Sequence, residues 1–108
     1  MQTQKLRQRL QHAELTIAEL SQLCLSQQGV PTALKQSIVQ LDEQARQWHA
    51  KLEVTQDTQS LTEAIAELEA ACGRTKMACQ GAGKIEHSVY SAVMHTHQEL
   101  SRLKHHLH

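Results

Sequence analysis

The sequence predicts an all-α protein, an antiparallel up-down-up-down four-helix bundle. Three observations predict it. Apolar residues recur at alternating spacings of three and four along most of the 108 residues, the a/d seam of packed helices. Gln occurs fifteen times and Asn not once, beside four Gly and a single Pro, so helix formers dominate and chain-breakers are scarce. The interruptions of the seam are short, and short connections fold successive helices back antiparallel.

The first seam runs Leu6, Leu10, Ala13, Ile17, Leu20 and Cys24. The stretch "QGVPT" then stops the helix: Gly29 suits a left-handed C-cap, and Pro31 suits the first turn of a new helix. A second seam follows through Leu34, Ile38, Leu41, Ala45, Trp48 and Leu52. Each of these helices has about 25 residues and a length of about 37 Å. After "VTQDTQS", Ser60 and Glu63 have the spacing of a capping box, and a third seam runs Leu61, Ile65, Leu68 and Cys72.

The same register continues through Thr75, Cys79, Ala82, Glu86, Val89, Val93, Thr96, Leu100, Leu103 and Leu107. Two architectures follow from it. One is a helical hairpin plus a single helix of about 70 Å, its overhanging seam completed by dimerisation. The other places a turn near "QGAGK". Gly73, Gly81 and Gly83 each cost about 1 kcal/mol inside a helix, and Thr75 and Glu86 are polar seam entries, so the turn is favoured. The expectation is one domain over 1–108, with helices near 3–28, 32–55, 61–79 and 84–107. Glu86 is expected to rotate off the seam and leave Ile85 facing inward, since an unpaired buried charge is costly.

Eleven basic and eleven acidic residues leave no net charge, and Phe is absent beside one Trp and one Tyr. This argues against a nucleic-acid binder, which needs a basic excess and aromatic platforms for unpaired bases. "GAGK" lacks the spacing and the preceding strand of a phosphate-binding loop, and no nucleophile–base pair stands out. The expectation is therefore a protein that is not an enzyme and has no cofactor.

Cys24, Cys72 and Cys79 all fall on the seam and read as buried thiols. Cys79, near Arg74, Lys76 and Lys84, is the one candidate for a reactive cysteine. The opening "MQTQKLRQRLQHAEL" is polar, and no apolar run approaches the roughly 20 residues of a membrane span. With odd, unpaired cysteines, the expected location is cytoplasmic.

Five of the eight histidines crowd into "MHTHQELSRLKHHLH", off the seam. His95 and Glu99 stand four apart, and His105 and His108 three apart, each a two-ligand arrangement where a structural zinc takes four. A solvated helix face is the simpler reading of this stretch. A metal-binding or metal-sensing bundle that uses His95, Glu99, His105 and His108 is the alternative.

The up-down topology brings the start of the first helix to the end of the fourth. Lys5, Arg7 and Arg9 are thereby expected beside Arg102, Lys104, His105, His106 and His108, with Glu53, Asp57 and Glu63 at the same end, a pole suited to an acidic partner when the histidines gain protons. Leu15 and Leu25 lie off the seam and mark a second candidate partner surface. The functional expectation is a protein-interaction module of the adaptor, export-chaperone or small-regulator kind. It would bind another protein through a helix face, a second copy included, with neither nucleic acid nor membrane as partner.

Overall fold

A computed structural model describes residues 2–55, 57–83 and 85–106, with the side chains of Gln2 and Thr3 left aside. Four helices follow one another: α1 (Gln2–Ser26), α2 (Thr32–Val54), α3 (Thr58–Gly81) and α4 (His87–His105). Each packs on its chain neighbour, α4 closes against α1, and α1 with α3 forms the one diagonal contact among the described residues. The bundle measures 42 × 24 × 16 Å, its long axis set by helices of 19 to 25 residues.

Local chemistry explains each break. Gly29 takes φ +85°, the left-handed conformation that Cβ penalises, and this lets the chain leave α1. Pro31 stands at the N-cap of α2, one place before the first turn, and its carbonyl accepts from Lys35 N at 2.9 Å. α3 begins three residues before the expected 61. Asp57 caps it, accepting from Ser60 N at 3.1 Å, so Ser60 is a donor inside the first turn and not the cap. A carboxylate serves the cap position as well as a hydroxyl, and its charge also suits the positive end of the helix dipole.

The long third helix of the alternative architecture does not form. Gly83 adopts φ +79° after α3, and the chain reverses before α4. Glu86 is an exposed residue at the α4 N-cap, while Ile85 packs partly buried against the core.

Both heptad seams of the hairpin and both of the second half turn inward. Leu10, Ile17, Leu34, Ile38, Leu61, Leu68, Val93 and Leu100 are all but inaccessible, and the three cysteines lie among them. Burial of each large aliphatic side chain contributes roughly 1.5–3 kcal/mol. Two polar seam residues enter this core at little cost. Thr75 and Thr96 donate their hydroxyls to the carbonyls of Ala71 and Ala92 at 3.2 and 2.7 Å, and Ser37 Oγ meets Thr75 Oγ1 at 2.8 Å. Their methyl groups pack as an apolar residue would. The core thus closes within one chain.

Candidate functional site

Glutamates cross every helix interface of the ring. Glu14 of α1 lies 3.1 Å from His49 Nδ1 of α2. Trp48 of α2 donates Nε1–H to Glu67 of α3 at 2.6 Å. Glu69 of α3 lies 3.6 Å from His97 Nε2 of α4, and Glu99 of α4 lies 2.9 Å from His12 Nδ1 of α1. Three of these crossings use histidines, and one of them, His97, belongs to the stretch that the sequence left on a solvated face.

The groove between α1 and α4 is the most distinctive surface. The antiparallel register sets Lys5 beside His106, Arg9 beside Arg102, and His12 beside Glu99. These side chains line two adjoining cavities of about 550 and 290 Å³ that share Gln8 and Arg9. Lys5, Arg9 and Arg102 form no ion pair among the described residues, whereas Arg46 pairs with Asp42 and Lys104 with Glu69 elsewhere in the bundle. Among the described residues, the one carboxylate that lines the groove is Glu99. Its Oε1 lies 2.9 Å from His12 Nδ1 and 3.4 Å from His95 Nε2.

The other residues of the expected basic pole turn elsewhere. Arg7 faces α2, where its Nη2 donates to the Leu52 carbonyl at 3.3 Å. Lys104 faces α3 and contacts Glu69 Oε1 at 3.4 Å. Leu15 is 64% exposed and borders a separate α1–α2 groove of about 410 Å³ with Ala18, Asp42 and Arg46. Leu25, 60% exposed, lies ten residues further along α1. Apart from Leu25, these residues therefore divide among three helix interfaces.

Of the candidate metal ligands, His95 and Glu99 are adjacent, His105 is exposed on the last turn of α4, and His108 lies outside the described residues. Among the described residues, no three His, Cys, Asp or Glu side chains gather as an ion would require. His12 joins His95 on Glu99, a partner that needs the α1–α4 register to be seen.

The cysteines offer no reactive centre. All three are buried, and burial pushes the thiols of Cys24 and Cys79 up. Cys72 is pushed up to about 12, by burial first and by the Glu69 charge second. Such groups stay protonated and poorly nucleophilic. Lys84, one of the cations that drew attention to Cys79, lies outside the described residues.

No helix among the described residues is long and apolar enough to cross a membrane. In comparisons with known proteins, the chain matches no family model, no curated protein and no solved structure.

Proposed function

We propose that the protein is a non-enzymatic interaction module that docks another protein along the α1–α4 groove. One observation carries the reading: Lys5, Arg9 and Arg102 line adjoining cavities across two helices, with no acidic partner of their own among the described residues. Well-paired cations serve the fold, whereas exposed cations gathered in a concave surface attract a ligand that brings the missing charge. The closed core supports the same reading, because a rigid bundle presents side chains at fixed spacing.

A photo-crosslinking amino acid at Gln8, inside the groove, tests this against the same group at Glu43 on the exposed face of α2. A discrete partner trapped at Gln8, absent at Glu43 and lost when Arg9 and Arg102 become Glu, is the expected result. Identical products at both positions would sink the reading. Solution mass in the same preparation distinguishes a second copy of the chain from another protein.

A metal-binding function retains one point of support, the two histidines that share Glu99. Thermal unfolding with zinc or a chelator separates it. A metal-dependent shift lost in His12→Ala and His95→Ala would favour that function over docking.

A further inference from the structure

We infer that the α1–α4 groove takes an acidic peptide segment, and that its hold tightens as His12, His95 and His106 gain protons. The inference rests on the docking reading above and adds the chemistry of the ligand and its control.

The charge of the groove carries the first half. Lys5, Arg9 and Arg102 against Glu99 leave two net positive charges when the histidines are neutral. Two of the three cations are guanidiniums, whose planar fork matches a carboxylate with paired hydrogen bonds. Extended nucleic acid is the other polyanion to weigh. It holds to proteins through long basic tracks and stacked aromatics, and neither is here: Trp48 is buried on α2, and Tyr90 belongs to the first turn of α4, at the opposite pole. A peptide with a few consecutive carboxylates matches three cations confined to one end of the bundle.

The second half follows from Glu99. Among the described residues that line the groove it is the one like-charged group an acidic ligand would meet, and it sits between two imidazoles. The groups facing it are Arg9 and His12 from α1, and His95 and Arg102 from α4 itself. α3 packs on the other side of α4, where Glu69 engages His97 and Lys104, and α2 makes no contact with α4 among the described residues. His12 and His95 are 67% and 61% exposed at the side chain, so both stand open to solvent and to a ligand in the groove. His106 faces Lys5 and Arg9 across the neighbouring cavity. Protonation of all three histidines takes the groove from two net positive charges to five. The ligand and the protons then favour one another by linkage.

The test uses N-acetylated deca-aspartate carrying a tetramethylrhodamine label at its C-terminus, whose charge is constant between pH 6 and pH 8, with an alternating glycine–serine peptide and a ten-nucleotide oligothymidylate as comparators. The expected result is binding about tenfold tighter at pH 6 than at pH 8 in low salt, weakening as salt is added. Arg9→Glu with Arg102→Glu should abolish it, and Arg9→Gln with Arg102→Gln should weaken it, with helicity by circular dichroism unchanged. Glu99→Gln should bind at pH 8 more tightly than the unaltered protein. Equal affinity at pH 6 and pH 8, indifference to the arginine changes, or tighter binding of oligothymidylate each overturns the inference. A partner still trapped at Gln8 under any of those outcomes leaves docking in the groove standing and removes only its acidic, proton-linked ligand.

Discussion

Trp48 donates its indole N–H to Glu67 Oε2 at 2.6 Å across the α2–α3 interface. The indole itself is 8% exposed, and Lys51 Nζ stands 4.6 Å above the ring. A buried Trp needs a partner for its N–H, and here a carboxylate from the next helix supplies it. The contact joins packing to helix register, since Glu67 reaches the indole only when α3 is in phase with α2.

Removal of the acceptor leaves a buried donor unsatisfied. Glu67→Ala should therefore destabilise the bundle by about 1–2 kcal/mol, the lower part of the range for charged hydrogen bonds because Glu67 is itself exposed. Glu67→Gln keeps an acceptor oxygen and should cost roughly half as much. Urea unfolding followed by fluorescence of the single Trp measures both. Equal losses for the two variants would place the effect in packing or helix propensity.

Gly73 lies in the middle of α3, where glycine costs about 1 kcal/mol relative to alanine. A Cβ there would meet His97 Nε2 at 3.7 Å, ordinary van der Waals contact. Gly73→Ala should accordingly raise stability by about 0.5–1 kcal/mol, a few degrees in Tm for a domain of this size. Gly73→Leu should instead displace His97 from Glu69 and lower the midpoint. If alanine also destabilises, His97 needs the open space over Gly73 for more than contact.

The core was legible because side-chain direction in a helix follows from position alone. From Leu10 to Leu103, seam residues on all four helices are buried, Thr75 and Thr96 included. The start of α3 was not, since Asp57 and Ser60 are both competent caps and only the folded chain shows which one accepts. The basic pole was partly legible. Arg7, His97 and Lys104 each follow a seam residue by one place and face one neighbouring helix, while Arg9 and Glu99 each precede one and face the other. That angular difference was present in the heptad. The pairing of His12 with Glu99 was not, because the axial register of α1 on α4 depends on how three connections turn.

Glu14 carries the clearest pH dependence. Its side chain is 12% exposed between α1 and α2, and burial pushes its carboxyl above the usual range, with the His49 contact opposing the shift. A carboxyl with a raised folded-state pKa stabilises the fold fully below its unfolded value, and that contribution is lost as pH rises through the folded value. Ionised Glu14 is thus a burden on the bundle at neutral pH. Glu14→Gln keeps an acceptor for His49 and removes the charge. Its unfolding midpoint should exceed that of the unaltered protein at pH 7, and the difference should vanish near pH 4. Asp57 acts in the opposite sense, since Ser60 holds its carboxyl below the usual range, and the cap weakens in acid. Because Asp57 is the same in both proteins, the difference between their midpoints isolates Glu14. A variant less stable than the unaltered protein at pH 7 would mean that the Glu14–His49 attraction outweighs the burial.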